Sequence, residues 1–192
     1  SEEQAKGYFH LFTSAVYFFP IIGALIADIF FGKYKTIIAL SIIYCLGHFA
    51  LAIDTSKLGL AIGLTLIAIG SGGIKPCVSA HVGDQFSKVN SFFISRVYSW
   101  FYIAINIGAF ISTLLTPYFL KYHSPSIAFG VPGFFMLLAT IVFWLGRYKF
   151  VHIKPKGKKV IIEILKKENI KVLFKLFKVF LFVSFFWCLF DQ

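Results

Sequence analysis

The chain has 192 residues, of which 58% are hydrophobic and only 14% are charged, and its formal net charge is +11. Soluble domains are about 45–50% apolar and about 25% charged, so this composition excludes an ordinary soluble domain. Basic chains often bind nucleic acid, but these lysines lie mostly in short links between apolar blocks. We therefore expect a lipid bilayer around the chain and no nucleic-acid partner.

Long apolar blocks follow one another along the chain. Each is about as long as the roughly 20 residues that cross a hydrocarbon core about 30 Å thick. Runs this long and uniformly apolar indicate helices rather than barrel strands, because a helix satisfies its own backbone groups in lipid. We predict an all-α membrane protein with about six transmembrane helices, at residues 8–31, 36–53, 58–80, 97–119, 127–146 and 173–190.

The lysines and arginines predict the orientation. Most of them lie in one set of loops, which contains Lys33 and Lys35, then Lys88 and Arg96, then the stretch from Arg147 onward. The positive-inside rule places these loops in the cytoplasm and the N-terminal end outside. Residues 152–175 alternate lysines with apolar residues, which predicts a basic amphipathic connector along the cytoplasmic lipid surface. A calmodulin-type target helix is the alternative interpretation.

Polar residues at helical spacing mark one face of three predicted spans. The structural interpretation is that these residues form hydrogen bonds between helices, at about 0.6–2 kcal/mol per contact. Three such stripes, one with a histidine and one with a lysine, instead favour a shared aqueous cavity. The stripes are His10, Ser14 and Tyr17 in the first span, Ser71, Lys75 and Ser79 in the third, and Tyr98, Tyr102 and Asn106 in the fourth.

The chemistry of these stripes suits a zwitterionic substrate. A lysine at the centre of a span costs roughly 2.5–3.5 kcal/mol, so Lys75 is expected to face water and pair with a carboxylate. Asn106 offers both an amide donor and a carbonyl acceptor for a peptide group or an ammonium. His10 changes charge near neutral pH and could carry a proton, although a lone histidine is more often structural.

No nucleophile–base pair, acid pair or metal-ligand spacing stands out in the sequence. The three cysteines, Cys45, Cys77 and Cys188, each lie within an apolar block and show neither metal spacing nor a disulfide pattern. We therefore predict that the protein is not an enzyme and that it has no catalytic residues and no metal site.

Several longer motifs resemble those of one known family. They are residues 23–37 (GALIADIFFGKYKTI), 70–80 (GSGGIKPCVSA) with 83–86 (GDQF), 101–109 (FYIAINIGA), 128–132 (AFGVP) and 186–192 (FWCLFDQ). Together they are similar to motifs of the proton-dependent oligopeptide transporter family, within the major facilitator superfamily, in the right order along essentially the whole chain.

The resemblance implies a partial major-facilitator-type bundle that spans the family's second to seventh helices. Residues 1–147 would form helices of the N-terminal half, 148–172 a cytoplasmic linker, and 173–192 the start of the C-terminal half. The implied activity is proton-coupled symport of di- and tripeptides across the plasma membrane, or the inner membrane of a bacterium. Protons are the coupling ion and no cofactor is implied. The implied partners are the peptide, the bilayer and the remainder of the transporter.

The resemblance also implies roles for single residues. Lys75, Tyr102, Asn106 and Tyr17 would bind the peptide. His10, Lys75 and Asp191 would take part in proton coupling. Asp28, Gly32 and Lys33 would belong to the cytoplasmic gate.

Two parts of the family pattern lie outside this sequence: the first helix with its Glu-x-x-Glu-Arg motif, and the C-terminal half beyond Asp191. We therefore expect that the chain is a fragment that does not transport alone. Transport of nitrate or another small solute remains an alternative. A different class is a non-transporting membrane protein that assembles with a partner or senses peptide.

Overall fold

A computed structural model describes residues 2–157 and 159–190, and the chain divides into two compact units, one up to Pro155 and one from Lys156. No strand occurs in these described ranges, which confirms the predicted all-α fold. The helices of the first unit are α1 (Glu2–Ile26) with a π-helical turn (Ala27–Phe31), α2 (Lys33–Ile53), α3 (Lys57–Asp84), α4 (Ile94–Tyr122) and α5 (Pro125–Leu145). The second unit contains α6 (Lys159–Ile164) and α7 (Lys167–Phe190).

Five helical segments within the described residues are long and apolar enough to cross a membrane. They are Lys6–Phe31, Lys33–Ile53, Lys57–Asp84, Ser91–Tyr122 and Pro125–Tyr148, which contain or closely match the first five predicted spans. The sixth predicted span, 173–190, lies within α7, and its passage through the membrane stays a prediction. The predicted division at 147 and 172 also stays a prediction, and residues 148–155 pack with the first unit.

Helices α2 and α3 lie at the centre of the first unit: they pack against each other, α3 also packs against α1, and α2 also packs against α5. Glycines permit these close approaches. A Cβ atom added at Gly23 of α1 would overlap the backbone of Gly73 in α3. A Cβ atom added at Gly47 of α2 would lie 2.9 Å from the carbonyl oxygen of Gly63. Small residues at such positions let helix backbones approach in lipid, where no hydrophobic effect drives helices together.

A histidine joins α2 to α5. His48 is buried, and its Nδ1 atom lies 2.8 Å from the carbonyl oxygen of Phe129. A Cβ atom added at Gly133 of α5 would lie 2.7 Å from the Cβ atom of His48. The hydrogen bond gives His48 a structural role. Helix α4 packs more loosely. It contacts α5 less extensively than α2 does, and it contains no buried residue.

At the end of the unit opposite the basic loops, polar side chains cap the N-termini of α3 and α5. The backbone N–H of Ser56 donates to Oδ1 of Asp54 at 2.8 Å, and the Ser56 hydroxyl accepts from the N–H of Gly59 at 3.1 Å. The hydrogen bonds from Ser56 lower the pKa of Asp54, because they stabilise its ionised form. Ser124 caps α5 in the same way, through the N–H of Ile127.

Substituting Gly73 with valine is expected to destabilise the first unit by about 1–3 kcal/mol, the usual cost of overpacking. The added atoms would meet the Leu40 side chain and the Gly23 backbone. Thermal unfolding in detergent, followed by circular dichroism, measures the effect. Gly108→Val is the matched control, because a Cβ atom at Gly108 meets nothing within 4 Å. An equal loss of stability in both variants would contradict the packing argument.

Candidate functional site

The predicted substrate and proton residues lie on three helices. His10 and Tyr17 are on α1, Lys75 is on α3, and Tyr102 and Asn106 are on α4. All five are exposed, with 76% of Tyr17 and 68% of Tyr102 accessible. Asn106 Nδ2 donates to the backbone carbonyl of Tyr102 at 2.8 Å, one turn earlier on the same helix. Within the described part of the chain, no side chain of the five is hydrogen-bonded to the side chain of another.

One hydrogen bond aligns the stripe on α3 with the stripe on α4. The hydroxyl of Tyr98 donates to the carbonyl oxygen of Ser79 at 2.8 Å. The chain reverses direction between these two helices. A step of four residues back along α3, from Ser79 to Lys75, therefore leads in the same direction as a step of four residues forward along α4, from Tyr98 to Tyr102. Each step is about 6 Å long. Lys75 and Tyr102 are therefore each one turn from this contact. The two stripes thus lie at matching depths.

Lys75 has no compensating charge in the described ranges. It is exposed on α3, and no described carboxylate lies within ion-pair distance of its ammonium group. Ser71, one turn away on the same helix, has a buried hydroxyl without a hydrogen-bond partner among the described residues. A cation and an unpaired polar atom in an apolar helix are costly unless another group satisfies them. Lys75, which is exposed, is therefore suited to an anionic ligand group, whereas the Ser71 hydroxyl is buried.

The predicted gate residues form the connection between α1 and α2. The N–H of Gly32 donates to the carbonyl oxygen of Ala27 at 2.8 Å, which closes the π-helical turn that contains Asp28. Gly32 then has a φ of +78°, which reverses the chain into α2 and favours glycine. π-helical turns within α-helices frequently occur at functional sites. The local backbone thus explains why a glycine lies between Asp28 and Lys33.

Lys33 forms an ion pair with Asp84 at the end of α3. Its Nζ atom lies 2.7 Å from Oδ2 and 2.9 Å from Oδ1, and the two side chains are 22% and 15% exposed. Asp28 is exposed, and its carboxylate makes no ion pair or hydrogen bond with a described residue. Sequence reasoning assigned no role to Asp84, although the GDQF motif contains it. The gating roles of Asp28, Gly32 and Lys33 stay predictions, and Asp191 lies outside the described residues.

A second contact joins the end of α3 to the segment after α5. Gln85 accepts from the N–H of Val151 at 2.8 Å through Oε1 and donates to the Val151 carbonyl at 3.2 Å through Nε2. Together with the Lys33–Asp84 pair, this contact brings the α1–α2 turn, the end of α3 and residues 147–155 to one end of the first unit. We call this the basic end. The predicted orientation requires these basic loops to lie on one side of the membrane.

Fold and site together define a multi-pass helical membrane protein with polar stripes on its spanning helices. The sequence model of the POT family matches residues 34–167. The chain belongs to this family, which confirms the resemblance seen in its motifs.

Similar proteins of known type agree with this assignment. The "Peptide transporter family 1" protein of Drosophila melanogaster is 45% identical over 172 residues, which cover 82% of this chain and 23% of the relative. "Solute carrier family 15 member 2" of Rattus norvegicus is 41% identical, with 86% of this chain and 25% of the relative covered. The crystal structure of the POT family transporter PepTSo has a TM-score of 0.75 and 50% identity, and covers 78% of this chain and 30% of that one. The chain thus spans about a quarter of the curated relatives it matches.

Proposed function

We propose that this chain is part of a larger carrier that performs proton-coupled symport of di- and tripeptides across the plasma membrane. The observation that carries the proposal is Lys75, an exposed cation within the spanning helix α3 that has no carboxylate partner among the described residues. It lies in a chain that belongs to the POT family. Relatives named as peptide transporters support the substrate class. Carriers of this superfamily work by rocking one half against the other around a central site.

The peptide would be held by its two termini and its backbone. Lys75 attracts the C-terminal carboxylate, and the low dielectric of the site strengthens the charge-assisted hydrogen bond. Tyr102 lies at the matching depth on α4 and supplies an apolar face with one hydroxyl. Asn106, one turn further, offers hydrogen bonds to the peptide group. Tyr17 would contact the peptide from α1.

Proton coupling would use groups that change charge during the cycle. Histidine is the side chain most often used as a proton carrier, and we assign His10 to the proton path together with Lys75 and Asp191. The cytoplasmic gate would include Asp28, Gly32 and Lys33. Lys33 pairs with Asp84 at the basic end, which is the end where a cytoplasmic gate would lie.

A chimeric carrier tests the proposed function. The segment replaces its counterpart in the Drosophila relative, and proteoliposomes containing the chimera receive an inward proton gradient and a radiolabelled dipeptide. We expect the dipeptide to accumulate above its external concentration, and a protonophore to abolish this accumulation. Excess unlabelled tripeptide should compete, whereas nitrate should not.

Two results would contradict the proposal. Accumulation of nitrate without accumulation of dipeptide would favour transport of another small solute. Dipeptide binding without any transport, in a chimera that is folded and inserted, would favour a peptide-sensing role. The unmodified Drosophila carrier, reconstituted in parallel, controls for the assay.

A further inference from the structure

The basic end contains a pocket that the proposed peptide and proton residues do not line, although the proposed gate residues Gly32 and Lys33 border it. Its volume is about 570 Å³, and it is formed by the start of α2, the end of α3 and residues 147–155. We call it the basic pocket. The residues that matter for its chemistry are Tyr34, Lys35, His81, Arg147 and Lys154.

Hydrogen bonds hold the wall of the basic pocket in place. Gln85 bonds both backbone groups of Val151, as described above. His152 follows, and its Nε2 atom lies 2.7 Å from the carbonyl oxygen of Arg147. The ring of His152 contacts the ring of Tyr34 edge-on, with centroids 4.7 Å apart. The segment after α5 is thereby fastened across the ends of α2 and α3.

The pocket carries an excess of positive charge. Lys33 is neutralised by Asp84, but Lys35, Arg147 and Lys154 have no carboxylate within ion-pair distance among the described residues. The guanidinium of Arg147 lies 3.8 Å from the Trp144 ring and 4.3 Å from the Tyr148 ring. Its two terminal nitrogens also donate to the Trp144 carbonyl oxygen at 3.1 Å and to the Tyr148 hydroxyl at 3.3 Å. These contacts orient the planar group, whose remaining N–H groups can donate to phosphate oxygens.

Two buried polar atoms at the same pocket lack partners. His81 is only 4% exposed, and its Nε2 atom has no hydrogen-bond partner among the described residues. The same holds for the buried hydroxyl of Tyr34. Both atoms lie below the accessible surface, so the pocket's charge is what a ligand would meet. A ligand rich in acceptor oxygens would ion-pair with the cations Lys35, Arg147 and Lys154.

We propose that the basic pocket binds the phosphate of an anionic phospholipid. The pocket lies where membrane-spanning helices end, which is the level of the lipid headgroups. The positive-inside rule places this end in the cytoplasm, where anionic lipids are concentrated. Basic pockets between transmembrane helices on this side are known to hold lipid headgroups. The exposed aromatic ring of Tyr148 provides an apolar wall for the glycerol backbone.

Binding of short-chain lipids to the purified chain in detergent tests the proposal. Dioctanoyl phosphatidylglycerol is titrated against dioctanoyl phosphatidylcholine and against inorganic phosphate, with isothermal titration calorimetry as the readout. We expect saturable binding of phosphatidylglycerol, about tenfold tighter than of phosphatidylcholine, because Lys35, Arg147 and Lys154 would repel the quaternary ammonium that phosphatidylcholine carries beside its phosphate. Inorganic phosphate should bind far more weakly, because it lacks the glycerol and acyl parts.

Variants locate the binding. Lys154→Gln and Arg147→Gln should each weaken phosphatidylglycerol binding about tenfold. Lys88→Gln is the matched control, because Lys88 is an exposed lysine in the α3–α4 connection and outside the pocket. Unchanged thermal unfolding in each variant shows that the fold is retained.

Two outcomes would overturn the assignment. If Lys88→Gln weakened binding as much as Lys154→Gln, the attraction would belong to the whole basic surface and not to this pocket. If inorganic phosphate bound as tightly as phosphatidylglycerol and the same variants abolished its binding, the ligand would be a soluble anion.

Discussion

Replacing Lys75 with alanine is expected to abolish proton-driven peptide accumulation by a carrier that contains this segment. Lys75 is exposed on α3 at mid-span and has no carboxylate partner among the described residues. A lysine there costs roughly 2.5–3.5 kcal/mol, which a purely structural residue would not repay. Its removal takes away the group that we propose binds the peptide carboxylate. Stability should not fall, because no described ion pair is lost.

Uptake by the chimeric carrier in proteoliposomes measures the effect. Lys57→Ala is the matched control, since Lys57 is an exposed lysine at the first residue of the same helix. The control should keep full accumulation. The Lys75→Ala carrier should at most let the peptide equilibrate down its concentration gradient. Lys75→Arg keeps the charge and should retain peptide binding. Accumulation by Lys75→Ala equal to that of the unchanged carrier would remove Lys75 from the coupling mechanism.

The spanning helices could be predicted from hydropathy, and so could the ends at Phe31 and Ile53, but the other ends could not. The third span was predicted at 58–80, whereas α3 extends over Lys57–Asp84. The fourth was predicted at 97–119, and α4 extends over Ile94–Tyr122. Hydropathy reports the part of a helix that lies in hydrocarbon. Backbone hydrogen bonding continues into the polar residues beyond it, until a cap or a turn ends the helix.

The candidate site was only partly visible in the sequence. The stripes with Lys75 and Asn106 follow from helical periodicity, which is a local property. The Lys33–Asp84 pair and the Gln85–Val151 contact join residues 51 and 66 positions apart. No periodicity connects residues so distant, and their pairing depends on which helices pack together. The GDQF motif was the available signal, because it contains both Asp84 and Gln85.

These two contacts have a common mechanical consequence. The Lys33–Asp84 pair ties the α1–α2 turn to α3, and Gln85 ties α3 to the segment after α5. Two adjacent residues, Asp84 and Gln85, therefore hold the basic end of the first unit together through non-covalent contacts. Alternating access requires each half of a carrier to move largely as a rigid body. Contacts of this kind would keep the first unit rigid during such a movement.

The ion pair should therefore be important for stability. Asp84→Asn leaves the partly buried Lys33 ammonium without its counter-charge, and we expect a loss of about 1–2 kcal/mol, less than for a fully buried pair. Lys33→Gln should cost a similar amount. The double variant should be more stable than the sum of the single losses predicts, by about 1 kcal/mol. The reason is that it removes both charges and leaves no unpaired charge in the partly buried site. Denaturation in mixed micelles provides the three values.

The chain contains its own control for this argument. Lys156 and Glu163 also form an ion pair, at 3.3 Å, but their side chains are 63% and 49% exposed. Water and salt screen such a pair, so the corresponding cycle of Lys156→Gln and Glu163→Gln should give a coupling of about 0–0.5 kcal/mol. Equal coupling in the two cycles would mean that burial at the basic end does not strengthen the Lys33–Asp84 interaction. Strictly additive losses for Lys33 and Asp84 would show that this contact does not hold the helices together.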